Sequence, residues 1–179
     1  DPEAALRSCA LSVAQRLRAM SSAPRDTAHL DLSRALRMVH AATRLLPLCD
    51  EALASVIAAQ CTGAIARLAP SAEPAAAKTS SYATFEDALD ARDLSAARAA
   101  ASTLTAAETF RRLCPFAASV SAARPYHIAI TVQTVEALRA LSLNDPENAA
   151  VFADAALALV VPWRAERALT RMIADLRAR

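Results

Sequence analysis

Glycine is almost absent from this sequence, which has a single one, Gly63, among 179 residues. Phosphate-binding loops and nucleophile elbows need several residues without a Cβ, because their backbone turns sharply or approaches a ligand. One glycine cannot build a GxGxxG turn, a GxxxxGKS loop or a GxSxG elbow. The common nucleotide-binding and hydrolase motifs are therefore excluded. Gly63 itself lies within a helical pattern, where we expect it at a close helix crossing rather than at a ligand.

Cysteine and histidine are also few, and neither occurs in a recognisable metal-binding or catalytic spacing. No CxxC pair is present among Cys9, Cys49, Cys61 and Cys114. Free cysteine behaves as a small apolar side chain, so we expect reduced, mostly buried thiols and an intracellular or organellar location. No HxxxH or HExxH pair is formed by His29, His40 and His127. The sequence thus predicts no metal, no cofactor and no small-molecule substrate, and a helical enzyme is the least favoured class.

Long apolar runs and strong net charge are missing as well. The most apolar stretch, residues 149–162, is shorter than a membrane span and contains Asp154. The formal net charge is only +2, less than electrostatic binding to nucleic acid alone would need. Arginine nevertheless outnumbers lysine 19 to 1. Guanidinium groups suit phosphate and buried ion pairs, although a GC-rich genome would enrich arginine and alanine together.

Hydrophobic spacing throughout the chain is that of α-helices, and the nine prolines mark their boundaries. Asp1-Pro2-Glu3 and Asp145-Pro146-Glu147 both resemble helix starts, and Thr105 to Glu108 is a capping-box pattern. The spacing predicts three helices before residue 69, then helices at about 84–101, 105–114, 125–141, 146–160 and 162–178. Their predicted core faces include Leu6, Val13, Leu17 and Met20; Leu32, Leu36, Val39, Leu45 and Leu46; and Leu53, Val56, Ile57, Ala64, Ile65 and Leu68. We expect a single all-α domain over 1–179, with a flexible loop at 69–81.

An internal repeat relates two parts of the chain. A shift of 95 residues aligns 42–58 with 137–153, and 8 of the 17 positions are identical, including Asp50 with Asp145. In each copy a helix ending in Leu-x-Leu is followed by an aspartate that would cap the next helix. The pattern predicts helical hairpins at about 31–68 and 125–161, stacked as a short α-solenoid. An irregular helical bundle is the alternative.

The repeated segments also resemble a known class of helical repeats. Residues 31–53, DLSRALRMVHAATRLLPLCDEAL, and 130–145, ITVQTVEALRALSLND, are similar to the repeats of octotricopeptide and FAST-kinase-like proteins. The similarity extends over about 75 of the 179 residues. It implies an organellar protein, in the mitochondrial matrix, that is associated with RNA metabolism. The nuclease-like C-terminal domain that such proteins often carry has no counterpart in this sequence.

Two stripes of arginine are the candidate RNA-binding residues. Successive residues of a helix are rotated by about 100°. On this basis one stripe lies within a sector of roughly 80° and consists of Arg34, Arg37 and Arg44. The other lies within roughly 60° and consists of Arg164, Arg167 and Arg171. Each stripe could follow a phosphate backbone, or could simply be a solvated helix face. We therefore expect a non-catalytic component of a mitochondrial RNA-rich assembly, such as a ribosome or an RNA-processing complex.

The alternative function is a structural adaptor that contacts only protein, as an accessory subunit of a respiratory complex or a viral scaffold would. The nearly neutral charge and the 55% hydrophobic content favour it. Aromatic residues for base stacking make up only 4% of the chain, which also weakens the case for single-stranded RNA.

Overall fold

The structure, a computed structural model, describes residues 1–20, 28–68, 82–120 and 125–162. These residues are helical and contain no strand, which confirms the all-α class. The helices are α1 (Pro2–Ala19), α2 (Ala28–Leu45), α3 (Glu51–Ala66), α4 (Phe85–Asp90), α5 (Leu94–Ala101), α6 (Ala106–Val120), α7 (Pro125–Asn144) and α8 (Ala149–Val160). The predicted loop at 69–81 and the predicted helix at 162–178 lie outside the described residues, apart from Pro162.

Side-chain caps fix the starts of several helices. The Asp1 carboxylate accepts a hydrogen bond from the Glu3 amide at 2.9 Å, which confirms the first predicted start. At α4, Thr84 and Asp87 form a complete capping box, because each side chain accepts from the other residue's amide. These bonds satisfy amide groups that have no partner inside the helix.

The single helix predicted over 84–101 is wrong, since the structure divides it into α4 and α5. Arg92, between them, has a φ of 59°, in the left-handed region. The Asp93 amide donates to the Ala88 carbonyl, and the Arg92 amide donates to the Leu89 carbonyl. These two hydrogen bonds form the Schellman motif that ends a helix. Asp93 then caps α5 by accepting from the Ala96 amide at 3.0 Å. Glycine usually occupies the left-handed position at the end of a helix, but here the residue is an arginine, so the sequence does not indicate the break.

The predicted end of a helix before Pro115 is also wrong, because α6 continues through this proline to Val120. Proline cannot donate the hydrogen bond to the carbonyl four residues earlier, which here belongs to Arg111. Both Pro115 and Arg111 are exposed, so water can satisfy that carbonyl. The capping pattern at 105–108 is partly confirmed. Thr105 accepts from the Glu108 amide at 3.2 Å, while the Glu108 carboxylate pairs with arginines instead.

Helix α8 lies at the centre of the packing. It contacts α1, α5, α6 and α7, and all but one of its residues from Phe152 to Val160 are buried. A helix that is apolar on every side is expected to be enclosed in this way. The contact of α1 with α8 joins the first described helix to the last, whereas solenoid repeats contact their neighbours. The packing therefore does not confirm a solenoid and fits the irregular bundle.

The two repeat copies differ locally at the aspartate they share. Asp50 caps α3 as predicted, accepting from the Leu53 amide at 2.8 Å. Asp145 instead precedes a 3₁₀ turn at Pro146–Asn148, and α8 begins only at Ala149. Asp145 is buried, and both of its carboxylate oxygens accept from the Asn148 side chain. The second predicted helix start is therefore corrected to a 3₁₀ turn, because Asp145 binds a side chain rather than capping amides.

Candidate protein-interaction surface

Helix α3 packs at the edge of the bundle through its small residues. Its buried positions are Ala54, Ala58, Cys61 and Ile65, and they face α1 and α2. Two contacts with α1 fix this orientation. The Arg16 guanidinium donates to the Ile65 and Leu68 carbonyls at the end of α3, and Cys9 Sγ lies 3.5 Å from Thr62 Oγ1. Small side chains allow the two helices to lie close together.

The orientation of α3 corrects one predicted core face. Leu53 and Val56 were expected in the core, yet they are 49% and 56% exposed. The core faces predicted for α1 and for the first part of α2 are confirmed, since Leu6, Val13 and Leu17 of α1 and Leu32, Leu36 and Val39 of α2 are buried. The period of the apolar residues alone could not orient α3, because they occur on every side of this helix.

The outer face of α3 is uncharged. We use this name for its solvent-facing positions, Ala52, Leu53, Ser55, Val56, Ala59, Gln60, Thr62 and Ala66, together with the half-buried Gly63. No Asp, Glu, Lys, Arg or His occurs between Ala52 and Ala66. A helix of this composition is ordinarily buried, as α8 is. Among the described residues, α3 packs only on one side, so its outer face is an uncharged surface, partly apolar, that no described helix covers.

Two leucines in the segment that leads into α3 are also exposed. Leu45 at the end of α2 was predicted in the core but is 49% exposed, and Leu48 in the following 3₁₀ turn is 82% exposed. Single exposed apolar residues are normal, but contiguous apolar patches of several hundred Å² mark interaction sites. Most of the large exposed hydrophobic residues that the structure describes lie in α2, in α3 or in the turn between them.

Gly63 does not lie at a close helix crossing, and that prediction is wrong. A Cβ added there would meet no heavy atom nearer than Arg67 Nη1, at 3.9 Å. The space above Gly63 is therefore open apart from the end of a flexible side chain.

The first predicted arginine stripe does not form one free surface. Arg34 is exposed and pairs loosely with Asp31 at 3.4 Å. Arg37 is half-buried and donates to Gln133 of α7 at 2.8 Å, so it joins two helices. Arg44 is exposed. Burial of His40, and then the charge of Arg44, lower the pKa of the His40 imidazole. The second stripe, Arg164, Arg167 and Arg171, lies outside the described residues.

A separate cluster of charges holds the bundle together around Asp154. Its carboxylate binds Arg18 Nε of α1 at 2.6 Å and Arg98 Nε of α5 at 2.5 Å. Arg98 also donates to the Arg18 backbone carbonyl at 2.6 Å. A groove of about 350 Å³ lies beside these residues. Each oxygen of the Asp154 carboxylate binds one guanidinium group, so this cluster connects α1, α5 and α8.

A larger groove, of about 540 Å³, runs between α6 and α7. Its charged residues are already paired, Arg111 with Glu108 and Arg139 with Glu136. Cys114 lies in the same groove, where burial and then the charge of Glu136 raise the pKa of its thiol. A thiol held protonated is a poor nucleophile and metal ligand.

The remaining cysteine and ligand predictions were that the thiols are free and that no metal is bound. All four cysteines are free; Cys9 and Cys61 are buried, while Cys49 and Cys114 are only half-buried. Burial, followed by proximity to Cys9, raises the pKa of Cys61. Within the described ranges no group of three or more potential ligands could hold a metal ion, and no helix is long and apolar enough to cross a membrane.

Comparisons with protein-family models, with curated proteins and with solved structures give no match to this chain. The predicted similarity to octotricopeptide and FAST-kinase-like repeats therefore stays a prediction. The surface at α3 was missed by reasoning from sequence, although one signal was present. Residues 52–66 are uncharged, as in a buried helix, but among the described residues α3 lies at the edge of the bundle rather than at its centre.

Proposed function

We propose that this chain is a non-catalytic helical subunit that binds another protein through the outer face of α3. The observation that carries the proposal is the position of α3, a helix without charge from Ala52 to Ala66 that packs on one side only among the described residues. Leu45 and Leu48, in the segment that leads into α3, are exposed as well. This is the protein-only adaptor that the nearly neutral charge favours.

The exposed area is large enough to contribute to binding. Fully burying a leucine or valine side chain contributes roughly 1.5–3 kcal/mol. Leu45, Leu48, Leu53 and Val56 retain 49%, 82%, 49% and 56% of their exposure, so covering them would contribute roughly 4–7 kcal/mol. Association costs at least about 4 kcal/mol. The alanines of the face must therefore also be covered for a stable complex.

Site-specific photo-crosslinking in cells tests the proposal. A photoreactive amino acid at Val56 should give adducts with protein, whereas the same amino acid at Ala99, an exposed position of α5, should give none. Ala59→Arg, which places a charge at the middle of the face, should abolish the Val56 adducts. Equal crosslinking from Val56 and Ala99 would refute a specific protein-binding role for this surface.

RNA binding is a second candidate, and the exposure of Arg34 and Arg44 on one side of α2 favours it. In this form the chain is part of an RNA-rich assembly, in the mitochondrial matrix if the resemblance to organellar repeats holds. Filter binding to structured and single-stranded RNA over a salt series tests it, because phosphate contacts weaken steeply with salt. Binding that is absent at low salt, or unchanged in Arg34→Glu/Arg44→Glu, would exclude these two arginines as the RNA contact.

A further inference from the structure

We propose that the groove beside Arg18 and Arg98 binds a small organic monoanion, a carboxylate carried on a short apolar chain. The groove lies where α1, α5, α6 and α8 meet, and its described lining residues belong to these helices and to the turn before α6, not to α3. The inference therefore goes beyond the proposed function and concerns a different surface. It is carried by an excess of positive charge in the groove and by the apolar walls beside it.

The charges in this groove do not balance. Arg18 and Arg98 share a single carboxylate, that of Asp154, and no other charged side chain among the described residues lines the groove. Two guanidinium groups and one carboxylate leave an excess of one positive charge. One monovalent anion would balance it, whereas a multivalent anion such as phosphate would exceed it and would be repelled by Asp154.

The two guanidinium groups also retain hydrogen-bond donors for such an anion. Arg18 binds Asp154 through Nε, and within the described part of the chain its terminal nitrogens have no partner. Arg98 donates through Nε to Asp154 and through Nη2 to the Arg18 carbonyl, which leaves its Nη1 group for a ligand. These bonds fix Arg98 before any ligand arrives, and donors that are already in place bind at a lower cost in entropy. Guanidinium donors also match the geometry of a carboxylate.

Apolar side chains form most of the rest of the groove, and they include Leu104, Val151 and Leu157. The hydroxyl groups of Ser102 and Thr109, which also line it, donate to backbone carbonyls nearby in sequence. Apolar walls beside a few convergent polar groups are typical of small-molecule sites. The volume of about 350 Å³ is at the small end of the range for such sites. The groove therefore suits a ligand with a short carbon chain rather than a segment of a partner protein.

The sequence predicts no small-molecule substrate, and this groove could not be recognised from it. Arg18 and Arg98 are 80 residues apart, and Arg98 and Asp154 are 56 residues apart. Only the packing of α8 against α1 and α5 brings the three charges together.

Titration of the ¹⁵N-labelled full chain with sodium hexanoate in a low-salt buffer tests the site by NMR. The amide signals of Ala101 and Ala150, which line the groove, and the Nε–H signals of Arg18 and Arg98 should shift, with a dissociation constant of about 1 mM or below. Acetate lacks the apolar chain and hexanamide lacks the charge, so each should bind about fivefold more weakly or worse. If acetate or hexanamide binds as tightly as hexanoate, or if the shifts occur on α3 and not at Ala101 and Ala150, the inference is overturned.

Two variants remove the two features of the groove separately. Arg18→Gln cancels the excess charge and should weaken hexanoate binding about fivefold or more, while Arg7→Gln, at an exposed arginine of the same helix, should leave it unchanged. Ala150→Leu fills part of the groove without altering its charges and should weaken binding by a similar factor, while Ala99→Leu, on the exposed side of α5, should not. Circular dichroism checks that each variant remains helical. Unchanged hexanoate binding in either folded groove variant would refute the site.

Ala59→Arg separates this inference from the proposed function. It is expected to abolish protein binding at α3, yet it should leave hexanoate binding unchanged, because Ala59 does not line the groove. Loss of hexanoate binding in a folded Ala59→Arg variant would place the ligand on α3 and overturn the inference. Absence of hexanoate binding to the wild-type chain would refute the groove as a carboxylate site, and the protein-binding function would stand.

Discussion

Replacing Asp154 by asparagine should destabilise the bundle more than any change to an exposed ion pair. The carboxylate binds Arg18 and Arg98 at 2.6 and 2.5 Å and joins three helices. Asparagine has nearly the same shape, so Asp154→Asn removes the charge with little change in packing. One of the two amide positions then presents a donor to an arginine that also donates.

The magnitude follows from the exposure of the three side chains. Removing one partner of a fully buried pair costs roughly 3–5 kcal/mol, whereas exposed pairs contribute roughly 0–1 kcal/mol. Asp154 is 20% exposed and Arg98 30%, but Arg18 is 54% exposed. Charge-assisted hydrogen bonds contribute roughly 1.5–3 kcal/mol each, and solvent screens the one to Arg18. We expect a loss of about 2–3 kcal/mol in the free energy of unfolding.

Urea denaturation followed by circular dichroism measures this loss, with Glu3→Gln as the control. Glu3 pairs with Arg7 at 3.2 Å, and both side chains are more than half exposed, so the control should cost less than about 0.5 kcal/mol. For a chain of this size, the loss at Asp154 corresponds to a fall in Tm of roughly 4–12 °C. If Asp154→Asn costs no more than Glu3→Gln, the claim that Asp154 holds the helices together is refuted.

Three further changes test local features of the bundle. Hydrogen bonds from Arg111 and Arg112 lower the pKa of Glu108 from 4.5 to about 2. The ionised Glu108 carboxylate therefore contributes fully to the stability of the fold above about pH 4.5, and this contribution disappears as the pH falls towards 2. Glu108→Gln should remove this part of the dependence of unfolding free energy on pH, measured in urea from pH 2 to 6; an unchanged slope would contradict the assignment. At Arg92, where φ is 59°, glycine should be more stable than alanine by about 1 kcal/mol in thermal unfolding, since both lose the contact with Phe116; equal stabilities would contradict the left-handed turn. Ser33→Ala should stabilise the protein by about 1 kcal/mol in urea, because the buried Ser33 hydroxyl finds no partner within the described residues; a gain no larger than that of the exposed Ser8→Ala would argue against this.

The sequence predicts helix boundaries correctly where they depend on a side chain and the backbone close to it in sequence. The cap by Asp1, the cap by Asp50 and the beginning of α7 at Pro125 all follow from residues within one helical turn. Such signals depend on backbone hydrogen bonds close in sequence. Pro115 and Arg92 were misjudged because the helix continues or breaks there according to solvent exposure and a left-handed backbone, neither of which residue type dictates.

The candidate surface depended on information that the sequence does not contain. The sequence shows α3 and α8 equally as helices almost without charge, apart from Glu51 at the beginning of α3 and Asp154 in α8. It also shows that Asp154 needs a partner in an apolar helix, but Arg18 and Arg98 are 136 and 56 residues away, and only folding brings them together.

The near absence of glycine, the proline spacing and the helical period of the apolar residues determined by themselves that this chain is all-α, because each acts through local backbone geometry. Tertiary packing decided the rest. It enclosed α8 among four helices and left α3 at the edge with Ala54, Ala58 and Cys61 inside and Leu53 and Val56 outside. Two helices of similar composition thus have opposite roles, since burial depends on which other helices are near, and that is a property of the whole chain.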